Sequence, residues 1–391
     1  MTKQNLVVIG LGYVGLPVAA KFAEAGFNVT GIDIVKEKVD RVNLGESTIE
    51  GDEPHLADLV KKVVKEGSFK ATTEYGSVKA ADYVLIVVET PFASRLNKPY
   101  YAALRSATTS VGRNLKKGAL VIVESTVAPG TLGTIVQPIL EAESNLKAGT
   151  DFLLATAPER VMPGKLLHNL VNMDRVIGGI NDASTDAAVS LYEKIAKGTL
   201  FKTDALTAEV VKTTENAYRD VQIAFANEIA LLCENMGVDV FEVRELVNKL
   251  PSRNMHLPGA GVGGHCLPKD SWLLAFGAKG RYEPRLIAVA REINDGMPLH
   301  MSDLCEDALV KLRGKLHGSR VTLLGIAYLE NSDDVRNSPA IPLMESLEVL
   351  GIKTTLHDPN VRPTDTLPIL KDIEDLFQLY YYLNFLLKCR L

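Results

Sequence analysis

Residues 6–15 read LVVIGLGYVG. The first four are apolar and mostly β-branched, which predicts a buried strand, and residues 16–24 have the apolar spacing of a helix. Three glycines lie between the two elements. Gly10 allows a tight turn, Gly12 lets the backbone approach a pyrophosphate, and Gly15 lets the helix pack closely on the strand. This combination predicts a dinucleotide-binding βαβ unit.

The dinucleotide is expected to be NAD rather than NADP. Residues 28–32 form the next apolar run and end directly before Asp33. A carboxylate at this position accepts hydrogen bonds from both ribose hydroxyls and repels a 2′-phosphate. The alternative, a glycine turn in a βαβ unit that binds no ligand, fits this context less well. The cofactor contacts predicted in this region are Gly10, Gly12, Tyr13, Val14, Gly15 and Asp33.

The rest of the chain predicts an α/β fold with three domains. Continuous apolar runs separated by helical segments indicate a doubly wound, mostly parallel sheet that is covered on both faces. A long helical pattern then runs over residues 206–236 and ends at Gly237. A smaller α/β unit follows, with strands expected at 320–325 and 352–357. The predicted domains are a Rossmann-like NAD-binding domain (1–204), a central helical domain with a cysteine loop (205–299) and a smaller C-terminal α/β domain (300–391).

Composition excludes several classes of protein. The net charge of −5 and the pI near 5.9 offer no general attraction to nucleic acid or to anionic lipid. The four cysteines are widely spaced and form no CxxC pair, which argues against a disulfide framework and a structural metal. The apolar run at 6–9 is too short for a signal peptide or a membrane span. We therefore predict a cytoplasmic protein with no metal, no nucleic-acid partner and no membrane partner.

A second glycine-rich loop carries a cysteine. Residues 258–270 read PGAGVGGHCLPKD, and Cys266 lies in this loop just ahead of a predicted helix. Such a thiol is expected to be exposed, and Lys269 or the amides at the helix N-terminus would lower its pKa. Taken alone, a single cysteine is as often a small buried apolar residue. The loop therefore indicates a nucleophile without establishing one.

Several segments, in this order and at this spacing, resemble those of one enzyme family, the UDP-glucose/UDP-N-acetylmannosamine dehydrogenases, along about residues 5–360. The segments are GLGYVGLP from Gly10, ESTVAPGT from Glu124, APERVMPGK from Ala157, AEVVKTTENAYRDVQIAFANE from Ala208, GVGGHCLPKD from Gly261 and SDDVRNSPA from Ser332. The resemblance implies NAD-dependent, four-electron oxidation of the C6 alcohol of a UDP-sugar to a carboxylate. Two of these forms, APERVMPGK and ENAYRDVQIAFANE, together with His265 before the cysteine, are more similar to the UDP-N-acetylmannosamine branch than to the UDP-glucose branch.

The resemblance also implies roles for individual residues. Cys266 would attack an aldehyde to give a thiohemiacetal and then a thioester. Lys212 and Asn216 would stabilise the oxyanion. They are spaced i,i+4 and so share one helix face, with Arg219 and Asp220 next along it. The alternative is that this face is merely solvated. Glu159 would activate the hydrolytic water. The implied catalytic residues are Cys266, Lys212, Asn216, Glu159, Asp270 and Thr126, and the last of these would also contact the cofactor together with Thr90.

The implied substrate contacts lie in the central and C-terminal parts of the chain, and the C-terminal domain would bind UDP. Arg336 is the expected partner of phosphate or uracil, with an internal salt bridge as the alternative. Arg253 and His256 would reach the substrate of a partner subunit, in a homodimer built through the long helix. The predicted substrate contacts are Arg160, Val161, Lys212, Asn216, Arg219, Arg253, His256, Gly263, His265 and Arg336.

Two departures from the family pattern leave alternatives open. Residues 325–329 read GIAYL, where the family commonly has a lysine after the aromatic residue, and residues 376–387 form a divergent apolar tail. Within the family, the substrate could instead be UDP-N-acetylglucosamine, UDP-N-acetylgalactosamine or UDP-glucose. Two-electron 2-hydroxyacid or 3-hydroxyacyl dehydrogenases share the cofactor loop but do not need Cys266. A catalytically impaired nucleotide-binding or scaffold protein is the alternative outside enzymes.

Overall fold

The computed structural model describes residues 3–49, 53–93, 96–160, 164–330, 332–363 and 369–370. Within these residues the chain forms two compact units. The first unit comprises Met1–Thr214 and Leu273–Arg281, and the second comprises Glu215–Trp272 and Tyr282–Leu391. The three predicted domain ranges stay a prediction.

The first unit is built on an eight-stranded sheet. Its strands are β1 (Asn5–Ile9), β2 (Asn28–Ile32), β3 (Phe69–Thr72), β4 (Tyr83–Ile86), β7 (Leu120–Val123), β8 (Leu153–Thr156), β9 (Arg175–Gly179) and β10 (Leu200–Asp204). Two short strands, β5 (Phe92–Ala93) and β6 (Lys98–Pro99), form a separate antiparallel pair. The order in the large sheet is β10-β9-β8-β7-β4-β1-β2-β3.

All neighbouring strands of this sheet run parallel except β8 and β9. The predicted doubly wound sheet is therefore confirmed, with one antiparallel pair that the sequence did not indicate. A buried apolar strand has the same local pattern in either direction, because burial on both faces does not depend on strand direction. The reversal brings the start of β9 to the carboxyl end of β8.

Helices cover both faces of the sheet. They are α1 (Gly15–Glu24), α2 (Lys36–Asn43), α3 (Leu56–Lys65), α4 (Ala102–Gly112), α5 (Gln137–Ser144), α6 (Leu166–Asn172) and α7 (Asp182–Tyr192). Alternate residues of β1 enter opposite cores: Leu6 and Val8 join one buried cluster, whereas Val7 and Ile9 join the other. Because successive side chains of a strand point to opposite faces, this division shows that both faces of the sheet are buried.

Five further helices follow β10 along the described part of the chain. They are α8 (Ala205–Met236), α9 (Val240–Val247), α10 (Leu267–Gly277), α11 (Arg285–Arg313) and α12 (Ala340–Val349). Helix α8 agrees with the predicted long helix, and Gly237 follows it with a φ of 69°. Helix α11 is continuous through Pro298. The predicted domain boundary at 299/300 thus lies inside α11. No helix in the described part of the chain combines the length and the apolar character needed to cross a membrane.

The second unit contains a small parallel sheet, and its first two strands lie where the sequence predicted strands. Its strands are β11 (Arg320–Leu324), β12 (Lys353–His357) and β13 (Ile369–Leu370), in that order. Leu323 and Leu356 on the sheet share a buried core with Leu343 of α12. The apolar tail at 376–387 and Cys389 lie outside the described residues.

Candidate active site

The glycine loop of the first unit has the geometry of a nucleotide cradle. Gly10 has a φ of +94°, and a Cβ atom there would lie 2.2 Å from the carbonyl oxygen of Val87. A Cβ atom on Gly15 would lie 1.8 Å from the carbonyl oxygen of Gly10. Both glycines are therefore required by packing. A Cβ atom on Gly12 would meet nothing within 4 Å, so that face of the loop is open to a ligand ahead of the N-terminus of α1.

Asp33 joins the end of β2 to this loop. Its Oδ2 accepts a hydrogen bond from the Leu11 amide (2.9 Å), and its Oδ1 accepts one from the Val35 amide (2.9 Å). The carboxylate thus lies beside the glycine loop, where a ribose would have to sit. Tyr13 and Val14 are half-buried and pack against the hydrophobic core. The residues of this loop fit NAD, which needs backbone amides at the pyrophosphate and a carboxylate at the ribose.

Two predicted cofactor contacts meet at the carboxyl ends of neighbouring strands. Thr90 follows β4, Thr126 follows β7, and the Thr90 hydroxyl donates to the Thr126 carbonyl oxygen (2.5 Å). Between these strands, the Ser125 hydroxyl donates to the Val88 carbonyl oxygen (2.6 Å). The two loops are therefore tied together at the edge where ligands of open parallel sheets bind.

Glu159 lies at the same edge, after β8, and is buried. One of its oxygens accepts a hydrogen bond from the Arg160 amide (2.8 Å), and the other forms a short ion pair with Arg175 at the start of β9. Arg175 also lies over the ring of Tyr192, which in turn donates to Glu124. Sequence reasoning missed Arg175 and Tyr192, because they approach Glu159 only through the antiparallel pairing of β9 and the end of α7, and it assigned no role to Glu124, the first residue of the ESTVAPGT segment.

The structure describes two of the three other predicted residues of the first unit, Arg160 and Lys212. The Arg160 guanidinium donates to the Asp174 carbonyl oxygen (2.7 Å). Val161 lies outside the described residues. Lys212 is half-buried on α8, one turn after Glu209, a residue that sequence reasoning also missed.

Glu209 holds the segment that follows Thr126. Its two oxygens accept hydrogen bonds from the amides of Gly130 (2.6 Å) and Leu132 (2.8 Å). Burial raises the pKa of this carboxyl to about 7, and the two amides oppose that shift. The signal that could have found it is an acidic residue one turn before Lys212 on the inner face of a helix. Glu209 therefore positions the loop after β7 from α8.

In the second unit, Cys266 directly precedes α10 and is exposed. Its carbonyl oxygen accepts hydrogen bonds from the amides of Lys269 (3.2 Å) and Asp270 (2.9 Å), so the cysteine lies at the N-terminal end of the helix. The partial positive charge of a helix N-terminus favours a thiolate over a thiol. Exposure and position both suit a nucleophile.

A buried polar group follows the cysteine. Asp270 is fully buried, and its two oxygens accept from the Lys269 ammonium (2.7 Å) and the Asn216 amide (2.5 Å). The predicted residues Asn216 and Asp270 are thus brought together, although they are far apart in sequence. Lys269 is buried, lies in the first turn of α10 and forms an ion pair with Asp270.

The expectation that Arg219 and Asp220 extend one polar stripe of α8 is wrong. Arg219 is exposed, whereas Asp220 is fully buried and pairs with Arg291 (2.7 Å). Successive residues of a helix point about 100° apart, so the two side chains cannot share a narrow stripe. The Ser271 hydroxyl and the Asn294 amide also donate to Asp220 (3.2 and 2.8 Å), which joins α8, α10 and α11.

The glycine-rich loop before Cys266 packs against Tyr328. A Cβ atom on Gly263 would lie 2.5 Å from the Tyr328 Cβ, and one on Gly264 would lie 2.7 Å from its ring. Burial lowers the pKa of His265 to about 4, and the cations Lys269 and Arg336 add to the shift. His265 is therefore neutral at pH 7. Tyr328 belongs to the 325–329 segment that departs from the family pattern.

The other predicted substrate contacts have protein partners. The Arg336 guanidinium binds Asp334 through Nε (2.9 Å) and Nη2 (2.5 Å), which is the internal salt bridge considered as its alternative. Arg253 is exposed, and its guanidinium donates to the Ser252 hydroxyl (3.3 Å). His256 lies 3.3 Å from the Gln222 side-chain oxygen. Their roles toward a substrate stay predictions.

Comparison with known proteins agrees with this geometry. Family models of the UDP-glucose/GDP-mannose dehydrogenase family match three parts of the chain: the NAD binding domain over residues 4–196, the central domain over 206–296 and the UDP binding domain over 322–380. These matches confirm the predicted cofactor, NAD, and the predicted class, an NAD-dependent dehydrogenase. They also confirm that the C-terminal part is of a UDP-binding type.

Individual relatives are similar over most of their length. The chain is 42% identical to the UDP-N-acetyl-D-mannosamine dehydrogenase of Pyrococcus horikoshii over 360 residues, which cover 92% of this chain and 84% of the relative. The solved structure of the Pyrococcus horikoshii UDP-D-ManNAc dehydrogenase has a TM-score of 0.88 at 41% identity, with the same coverage. That of an NDP-N-acetyl-D-galactosaminuronic acid dehydrogenase from Methanosarcina mazei has a TM-score of 0.85 at 42% identity, covering 95% of this chain and 83% of the other. The chain belongs to the UDP-glucose/GDP-mannose dehydrogenase family.

Proposed function

We propose that this chain oxidises the C6 alcohol of UDP-N-acetyl-D-mannosamine to the carboxylate in two successive two-electron steps. The observation that carries the proposal is the placement of Cys266, exposed at the N-terminus of α10, with the fully buried Asp270 one turn further along the helix. Bound NAD supplies the hydride acceptor in each step. A single two-electron oxidation would not need a nucleophile at this position.

Residues of the chain itself carry out the covalent step. The Cys266 thiolate attacks the C6 aldehyde and gives a thiohemiacetal, and loss of a hydride from that carbon leaves a thioester. Lys212 and Asn216 stabilise the oxyanion, and Asp270 orients the Asn216 amide through their 2.5 Å hydrogen bond. Water, oriented by Thr126 and deprotonated by Glu159, adds to the thioester carbon and releases the carboxylate and the Cys266 thiolate.

The choice of sugar is supported by relatives. The Pyrococcus horikoshii protein is named for UDP-N-acetyl-D-mannosamine, at 42% identity. UDP-N-acetylgalactosamine is the second candidate, because the Methanosarcina mazei structure, also 42% identical, is named for N-acetyl-D-galactosaminuronic acid. UDP-N-acetylglucosamine and UDP-glucose complete the set to be compared.

The stoichiometry of NADH tests the proposal. We expect two NADH and one carboxylate per UDP-N-acetyl-D-mannosamine consumed, with slower turnover of the other three UDP-sugars. One NADH per sugar would remove the covalent role of Cys266. No NADH with any of the four sugars, in a protein that binds NAD, would favour a catalytically impaired nucleotide-binding protein.

Replacing the cysteine isolates its contribution. Cys266→Ala should form no carboxylate, because no thioester can form, while its affinity for NAD should be unchanged. Cys305→Ala is the matched control, since it removes a thiol that is buried in the core of the second unit. Carboxylate release by the Cys266→Ala variant at the rate of the control would contradict the mechanism.

We also propose that the protein is cytoplasmic and forms a homodimer with α8 at the interface. Three large apolar side chains are exposed at intervals of seven residues on this helix: Tyr218 at 63%, Phe225 at 55% and Leu232 at 51%. Side chains seven apart lie on one helix face, and an exposed apolar face of this kind marks a protein interface. Sedimentation velocity should give twice the monomer mass of 42.5 kDa, and a monomer at micromolar concentration would contradict the proposal.

A further inference from the structure

Four side chains with titratable or charged groups form a cluster inside the first unit. Glu124 follows β7, Glu159 follows β8, Arg175 begins β9, and Tyr192 ends α7. Because β9 runs antiparallel to β8, its first residue lies at the edge where β7 and β8 end. Each of the four is at most 9% exposed. The cluster is therefore shielded from bulk solvent and adjoins the loops that carry the candidate site.

The contacts connect the two acids through one cation. The Arg175 guanidinium forms a short ion pair with Glu159, and its carbon lies 4.4 Å from the centre of the Tyr192 ring. The Tyr192 hydroxyl donates a short hydrogen bond to Oε1 of Glu124. Oε2 of Glu124 and Nη1 of Arg175 are buried, and neither has a hydrogen-bond partner among the described residues. One acceptor and one donor thus remain unsatisfied at the centre of the cluster.

The charges in this cluster do not balance when both acids are ionised. Two carboxylates and one guanidinium leave a net negative charge in a buried place, which is costly unless a proton is taken up. Burial raises the pKa of Glu124 to about 7; the Arg175 cation opposes this shift, Glu159 adds to it and the Tyr192 hydroxyl opposes it. Glu124 therefore gains and loses its proton within the physiological range, while Arg175 stays charged.

We propose that Glu124 is a positioning residue for Glu159 and acts through the guanidinium of Arg175, which both acids attract. The inference rests on the proposed role of Glu159 as the base of the hydrolytic step. When Glu124 is protonated, the positive charge of Arg175 acts on Glu159 alone and makes it a weaker base. When Glu124 releases its proton to solvent, its negative charge offsets that of Arg175, and Glu159 becomes a stronger base.

Single-turnover release of the carboxylate, measured by quenched flow between pH 5.5 and 9, tests the proposal. The wild-type rate constant should rise about three- to tenfold with an inflection near pH 7, where Glu124 loses its proton. Glu124→Gln is neutral at every pH and should lack this inflection, remaining at the low-pH rate of the wild type. Glu66→Gln, which replaces an exposed acid of the same unit, should keep the wild-type profile.

Tyr192→Phe gives a readout that a merely structural role would not produce. The Tyr192 hydroxyl lowers the pKa of Glu124, so its removal should move the inflection to higher pH without abolishing it. A lower rate with an unmoved inflection in this variant, or a wild-type profile in Glu124→Gln, would overturn the proposal.

A measurement without substrate separates this proposal from the proposed function. The folded-state pKa of Glu124 is raised above its unfolded value, so the stabilising uptake of a proton is present at low pH and is lost as the pH rises through about 7. The wild type should therefore lose urea stability relative to Glu124→Gln between pH 5 and pH 8. Equal pH dependence of the two proteins would overturn the proposal, whatever the activity. Failure of the proposed function would instead appear as the absence of NADH in the wild type.

Discussion

Two candidate acids, Glu159 in the first unit and Asp270 in the second, are each buried beside a buried cation. Arg175 binds Glu159 with a side chain that is 4% exposed, and Lys269 binds Asp270 with a side chain that is 10% exposed. The surroundings of these pairs differ. Arg175 is also attracted by a second carboxyl, that of Glu124, whereas the other partner of Asp270 is the neutral Asn216 amide.

This difference separates a cation that two acids share from a cation that is paired with one acid. Around Asp270, one negative charge meets one positive charge, and both carboxylate oxygens accept hydrogen bonds. Around Arg175, two acids compete for one cation, and an oxygen of Glu124 has no hydrogen-bond partner in the described part of the chain. Burial alone therefore does not decide whether the negative charge of a carboxylate is neutralised. The number of acids that each cation must neutralise decides it.

Removal of the shared cation should have the largest effect. Arg175→Met leaves two buried acids without a counter-charge and should cost about 3–5 kcal/mol of unfolding free energy at pH 8. The loss should shrink toward pH 5, because without Arg175 the pKa of Glu124 rises further above its unfolded value and proton uptake then stabilises the folded state. Urea denaturation at the two pH values measures this. Arg113→Met, at an exposed ion pair, is the control, and an equal loss at both pH values would contradict the interpretation.

Removal of the unshared cation should have a smaller effect. Lys269→Met leaves one buried carboxylate, which keeps its hydrogen bond from Asn216, so we expect a loss of about 3 kcal/mol at pH 7. Urea denaturation again gives the value. Lys249→Met removes the cation of an exposed pair and should change little. A loss for Lys269→Met as small as that of the control would show that solvent reaches Asp270.

Removal of the neutral partner should have the smallest effect. Asn216→Leu removes one donor to Asp270, but Asn216 is only half-buried and water can replace its amide, so we expect a loss of about 1 kcal/mol. The shift of the urea midpoint measures it. Asn235→Leu removes an exposed hydrogen bond on the same helix and provides the baseline. A loss above that of Lys269→Met would mean that the amide, rather than the cation, stabilises the buried carboxylate.

Most elements of the fold could be predicted because their signals are local. The strand at 28–32 and the helix that ends at Met236 have the predicted bounds to within one residue. The direction of β9 could not be predicted, because it depends on which neighbour the strand pairs with. The continuity of α11 through Pro298 was also missed, because the predicted boundary at 299/300 divides this helix.

The candidate site was predictable where a motif carries its own chemistry. Glycines at fixed spacing and a cysteine ahead of a helix can be recognised from residue types, and the family model that includes the glycine loop confirms the cofactor. Arg175 and Tyr192 have no such signal, and Glu124 belongs to the ESTVAPGT segment without a predicted role. Each is an ordinary residue at the end of a different element, and it acquires a role only when the sheet brings those ends together.

The amino-acid sequence alone was therefore enough to predict the cofactor loop, the long helix and the exposed cysteine. Spacing along the chain specifies a turn, a helical face or a helix N-terminus. Folding in three dimensions determined which charges meet. Arg175 reaches Glu159 through an antiparallel strand pair, and Asn216 reaches Asp270 although they are far apart along the chain. Electrostatic interactions depend on distance and burial in the folded protein, and neither quantity can be read from the order of residues.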